Sequence, residues 1–124
     1  MTLSKDLTRI PAADEPLIMV YRDKIRFSWG AVRLLSLDRN SRVAFKVTTE
    51  EHPQGAGKVY VGKRKESAYR LLPSGRRYTI ANAGLSRSLA DALEGCGTYR
   101  IEKDYTDTDS FGNVYHLIFW RKLE

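Results

Sequence analysis

The sequence predicts an α+β fold made of two copies of one unit, a strand followed by a short helix and a β-hairpin, in tandem on one chain. Three observations point there. Short apolar runs of strand type alternate with two brief stretches of helical periodicity. The order of elements in the first half recurs in the second. The recurrence also keeps a near-constant offset. Leu35 and Leu89 are 54 residues apart, as are Phe45 and Tyr99, while Gly57-Lys58-Val59-Tyr60 and Gly112-Asn113-Val114-Tyr115 are 55 apart.

In the first unit, LIMVY (17–21) and KIRF (24–27) read as strands joined by a turn at Arg22-Asp23. Ser28 suits a helix N-cap, because its hydroxyl can accept from the free amides of a first turn. Ala31, Leu34 and Leu35 then fall on one helical face with Arg33 turned away. Asp38-Arg39-Asn40-Ser41 breaks the helix, and Asn40 tolerates the left-handed conformation that a tight turn can require. Val43, Phe45 and Val47 alternate as a strand with the apolar side inward. A loop from Glu50 to Gly57 leads into the returning strand Val59-Tyr60-Val61.

The second unit repeats this order. Tyr78-Thr79-Ile80 is the strand, Asn82 the N-cap, and Leu85, Leu89, Ala92 and Leu93 the apolar helix face. Gly95-Cys96-Gly97 stops the helix. A strand over Thr98–Lys103, a loop from Asp104 to Asn113 and a return strand over Val114–Trp120 complete it. The resulting division is an N-terminal arm (1–16), a first repeat (17–62), a basic connector (63–77) and a second repeat (78–122).

A chain of 124 residues is large enough to bury a real core, and its 42% apolar and 29% charged content is that of an ordinary globular domain. No apolar run approaches the roughly 20 residues needed to span a bilayer, and the start lacks the apolar core of a signal peptide, so no membrane partner is expected. With Cys96 as the sole cysteine there is no internal disulfide, which fits a reducing, cytoplasmic setting. The net charge of +6 is concentrated: residues 20–42 carry +4, residues 58–77 carry +6, and the rest of the chain sums to −4. Two basic blocks point to a polyanionic partner, nucleic acid first. The competing explanation is a pair of solvated faces.

Over residues 23–47, DKIRFSWGAVRLLSLDRNSRVAFKV resembles the AbrB/SpoVT family of swapped-hairpin transition-state regulators. Lys24 fills that pattern's basic slot and Ile25 and Phe27 its apolar strand. Arg33 and Leu35 fill the helix, Leu37 its exit, Asn40-Ser41 the turn, and Val43, Phe45 and Val47 the following strand. Asp23 and Ser36 stand where the pattern has glycine, and Ser28 where it has proline. Family members build one barrel from two chains, and the MraZ-type members carry two repeats on one chain. The present layout is similar to that double arrangement. The resemblance implies a pseudo-symmetric small β-barrel with two short helices, in which each half buries the other's apolar face. It also implies double-stranded DNA binding through Arg22, Lys24, Arg26 and Arg33, with Arg64 and Lys65 as connector contacts, and a homodimer as an allowed assembly. Asp23 would repel phosphate unless it pairs with a neighbour.

Catalytic and metal motifs do not complete. HPQGAGKV has His52 at the first glycine slot of a phosphate loop and Val59 at its hydroxyl slot, so it reads as a hairpin loop. DTDSFGN (107–113) opens like a calcium loop, but Phe111 takes a ligand slot and Ile118 replaces the bidentate glutamate, so turn chemistry explains it better. Cys96, His52 and His116 fall short of a tetrahedral zinc site. The expectation is a non-enzymatic protein without a cofactor. The alternative to a DNA-binding regulator is a protein-interaction or accessory module on the same duplicated α+β scaffold.

Overall fold

The computed structural model describes residues 15–51, 57–67, 69–74 and 77–123. In chain order the elements are β1 (Leu17–Val20), β2 (Ile25–Phe27), α1 (Trp29–Leu34), β3 (Arg42–Glu51), β4 (Gly57–Lys63), β5 (Tyr69–Arg70), β6 (Leu72–Ser74), β7 (Arg77–Ile80), α2 (Ala83–Ala92), β8 (Gly97–Thr108) and β9 (Val114–Ile118). The strands form one antiparallel sheet in the order β5-β3-β4-β9-β8-β1-β2-β7-β6. Its two outermost strands, β5 and β6, are separated in the chain only by buried Leu71. The sheet therefore curls until it is nearly closed, which leaves little edge exposed for pairing with other chains. Among the described residues, no helix is long and apolar enough to cross a membrane.

The barrel interior is filled from both halves of the chain by Ile18, Ile25, Phe27, Val43, Val59, Val61, Ile80, Tyr99, Ile101 and Ile118, all essentially inaccessible to water. Along β2 and β7, Ile25 lies opposite Ile80; along β4 and β9, Val61 lies opposite His116. At the second seam Gly62 allows the closest approach, since a Cβ there would sit 2.5 Å from the Val114 carbonyl oxygen. β8 serves two partners. Its first residues pair with β1, and a register shift between Ile101 and Thr106 lets the remainder follow β9.

Both predicted N-caps form. The Ser28 hydroxyl accepts from Ala31 N–H at 3.2 Å and from Leu17 N–H at 2.9 Å, while donating to the Glu15 carbonyl at 2.9 Å, so one side chain ties α1 to β1. Asn82 Oδ1 accepts from Leu85 N–H at 2.9 Å. Ala31, Leu35 and Leu89 are buried as their spacing requires.

Five expectations change. The helix stops at left-handed Ser36, φ 55°, ahead of the Asp38–Ser41 stretch expected to break it. The α1 exit closes as a Schellman motif, in which Leu37 N–H donates to the Val32 carbonyl at 2.8 Å and Ser36 N–H to the Arg33 carbonyl at 3.2 Å. The chain has thus already reversed before the Asp38 turn begins. Val47 is 61% exposed, because the β3–β4 register slips immediately after it and the strand leaves the barrel there. β3 runs on to Glu51, so the loop of that hairpin is shorter than the sequence suggested, and the histidine-and-glycine stretch 52–56 lies outside the described residues. β8 likewise runs on to Thr108, five residues into the expected loop. The stretch 63–77 holds β5 and β6, the two strands that bring the sheet round, rather than acting as a linker alone.

Candidate nucleic-acid interface

The six predicted contact residues fall into two groups. Arg22, Lys24 and Arg26 belong to the β1–β2 hairpin. Its turn is closed by Tyr21 N–H donating to the Lys24 carbonyl at 2.9 Å, with Arg22 and Asp23 at the exposed tip. Tyr21 organises this hairpin. Lys24 Nζ lies 5.3 Å from its ring centroid and Arg26 Cζ 5.8 Å, so one aromatic ring attracts two cations. Arg26 points away from the core between Met19 and Thr79, its neighbours across the ladders. It is half-buried, and its Nε has no hydrogen-bond partner among the described residues.

Arg33, Arg64 and Lys65 belong to the other group. Arg33 is exposed on α1, and Lys65 is exposed in the turn that follows β4. Arg64 N–H donates to the Arg42 carbonyl at 2.9 Å, and its guanidinium Nε lies 3.7 Å from the Glu66 carboxylate. Lys63 Nζ donates to the Ser36 carbonyl at 3.0 Å, which sets the 63–65 run beside the exit of α1. The same lysine, behind amide and hydroxyl donation from Asn40 and Ser41, helps hold the Asp38 carboxyl below its ordinary value.

Arg22 and Lys24 of the first group line a cleft of about 760 Å³ whose opposite wall is α2. Ala83, Arg87 and Ala90 are spaced i, i+4, i+7, so they form one stripe of that helix and present it to the cleft, while Ser86 and Leu89 turn into the core. The β1–β8 ladder ends with Val20 opposite Gly97, and Tyr21 and Cys96, the residues next to that pair, both line the cleft. Cys96 is exposed there. The lining thus holds three cations, Arg22, Lys24 and Arg87, against the single carboxylate of Asp23. The side chains of Arg22, Asp23 and Arg87 make no hydrogen bond or ion pair among the described residues. The net positive charge in a concave surface is therefore uncompensated, which concentrates anions there.

Arg87 was not among the predicted contacts. The 54-residue offset that relates Leu35 to Leu89 also carries Arg33 onto Arg87, and applying it to the arginines would have found the residue.

No family model, no curated protein and no solved structure matches this chain. The class defined by fold and cleft is structural: a small α+β domain, mostly antiparallel sheet curled nearly into a barrel, with two helices and a cation-lined cleft.

Proposed function

We propose that this protein is a cytoplasmic DNA-binding regulator of the swapped-hairpin type, without a catalytic step of its own. It holds a duplex by its phosphates through Arg22, Lys24 and Arg87, with Arg26 behind Tyr21 and with Arg33, Arg64 and Lys65 as a second line of contact. The observation that carries this is the convergence of unpaired Arg22 and Arg87, from separate elements, on one open cleft that also holds Lys24. Cations that the fold leaves unpaired can neutralise phosphates, and release of condensed counterions then supplies affinity without reading sequence.

The scaffold is proposed to be an internal duplication. In two of the three ladders that join the two halves, residues 55 apart face each other, Ile25 opposite Ile80 and Val61 opposite His116; the third, β1 with β8, pairs other positions. A two-fold relation between repeats would pair equivalent strands in this way. Left-handed Ser36, at the slot where the family pattern has glycine, further supports the resemblance.

The test is fluorescence anisotropy of a random-sequence duplex titrated at stepped salt concentrations. Contact with three to seven phosphates gives a slope of log K against log[salt] between roughly −3 and −6. A Lys24→Ala/Arg33→Ala variant should bind more weakly with a shallower slope. Absence of binding at low salt would exclude the proposal and direct attention to a protein partner.

A further inference from the structure

We infer that the cleft between the β1–β2 turn and α2 is a pocket for a small phosphoryl anion. It deepens the DNA-binding proposal by giving the same cleft a small ligand, and the two can fail separately.

Size is the first argument. About 760 Å³ lies within the range of small-molecule sites, roughly 300–1,000 Å³. The second is the donor set. Arg22 and Arg87 offer forked guanidinium donors, which match the paired oxygens of a phosphoryl group, and Lys24 adds a compact charge that the Tyr21 ring attracts. These groups come from opposite walls, so an anion between them is held from two sides. The third is charge balance. Three cations less the Asp23 carboxylate leave the lining at about +2, which a dianion neutralises and a monoanion does not. The fourth is room. Ala83 and Ala90 flank Arg87 along α2 with the smallest side chains that carry a Cβ, leaving space for the rest of a phosphorylated molecule.

The chain carries its own reporter. Cys96 is the sole cysteine, it is exposed, and it lines the same cleft, so its alkylation measures access to the pocket. The experiment follows the rate of Cys96 alkylation by N-ethylmaleimide, an uncharged reagent, in full-length protein at low salt. Inorganic pyrophosphate is the probe, and potassium chloride at matched ionic strength is the control. Pyrophosphate should slow alkylation saturably, about threefold at twice its Kd and more beyond. The protection should disappear in Arg22→Gln and Arg87→Gln. It should persist in Arg39→Gln, which removes an exposed arginine that does not line the cleft. Circular dichroism and Tm matched to the parent protein would show that the variants remain folded.

Protection no greater than that given by chloride overturns the inference, as does protection lost equally in Arg39→Gln. A short DNA duplex forms a separate arm. Protection by duplex but not by pyrophosphate overturns the small-ligand inference and leaves DNA binding standing. Protection by pyrophosphate but not by duplex upholds the inference and removes DNA from this cleft.

Discussion

The cleft beside α2 and the outer face of the β3–β4–β9–β8 hairpins use the same residue types to opposite ends. On the hairpins Lys46, Lys58, Asp107 and Asp109 are all engaged within the fold. Lys46 is paired with Asp107 and lies 5.5 Å from the Tyr115 ring centroid, and Lys58 donates to the Tyr105 hydroxyl, its Nζ 4.9 Å from that ring. Asp109 accepts from Phe111 N–H at 2.9 Å, Asn113 N–H at 3.0 Å, Asn113 Nδ2 at 2.9 Å and the Tyr115 hydroxyl at 3.3 Å. Those four donors explain the DTDSFGN sequence as a hairpin turn. In the cleft, Arg22 and Arg87 have no such partners. The contrast separates charge that fixes the fold from charge held ready for something outside it. Lysines 46 and 58 would look as eligible as Lys24 to any count of basic residues.

The comparison is sharpened most by neutralising one set of cations at a time. Arg22→Gln/Lys24→Gln/Arg87→Gln should weaken duplex binding by about 100-fold at moderate salt and flatten the salt slope by about 3, with Tm unchanged. Arg33→Gln/Arg64→Gln/Lys65→Gln should cost less, because Arg64 is partly engaged with Glu66. Equal losses would erase the distinction between the two groups.

The hairpin side is probed through stability. Gly62→Ala forces a Cβ against the Val114 carbonyl at the β4–β9 seam and should cost about 1–3 kcal/mol in chemical denaturation. An unchanged denaturation midpoint would mean that the seam can open without penalty. Asp109→Ala should lower Tm by removing the acceptor of the turn, with duplex binding retained.

Asp109 also predicts a pH dependence. The Asn113 side chain, followed by backbone amides and the Tyr115 hydroxyl, lowers its pKa to about 2. A carboxyl depressed in the folded state contributes stability that is fully present above the ordinary carboxylate range and is lost as pH falls toward 2. Lys46 likewise holds the Asp107 carboxyl below its ordinary value, adding a loss in the same direction. Acid titration of Tm should therefore be steeper in the parent than in Asp109→Ala, and identical curves would contradict this.

The smallest expected effect is a gain. Ser36→Gly relieves a side chain held at φ 55° in the Schellman motif and should add about 0.5–1 kcal/mol. A loss would mean that the serine side chain contributes something the helix exit needs.

Much of this fold was legible because the signals were local. The Ser28 and Asn82 caps, the Arg22-Asp23 turn and the buried faces of both helices follow from spacing and side-chain chemistry within a few residues. What was missed depends on the closed sheet. Tyr69–Ser74 has no strong alternation and contains Pro73, so nothing local marks it as two strands; its pairing is supplied by β3 and β7. The alternation of Val43, Phe45 and Val47 could not reveal where the barrel stops covering β3. Residue preference marked Asn40 only as tolerant of a left-handed conformation, and the backbone hydrogen bonds of the helix exit set that conformation at Ser36. At the site, Lys24 and Arg26 were visible as charge, whereas the partnership of Arg22 with Arg87 depends on α2 facing the first hairpin across the sheet.

The most direct measurement compares salt slopes for duplex binding in three proteins: the parent, Arg22→Gln/Lys24→Gln/Arg87→Gln, and Lys46→Gln/Lys58→Gln. If unpaired cleft cations form the binding surface, the first variant should lose about 3 from the slope and the second should keep the parent's slope within error, despite any loss of stability. A slope that falls with the Lys46/Lys58 pair, or is unchanged when the cleft is neutralised, would contradict the assignment of the cleft as the functional face.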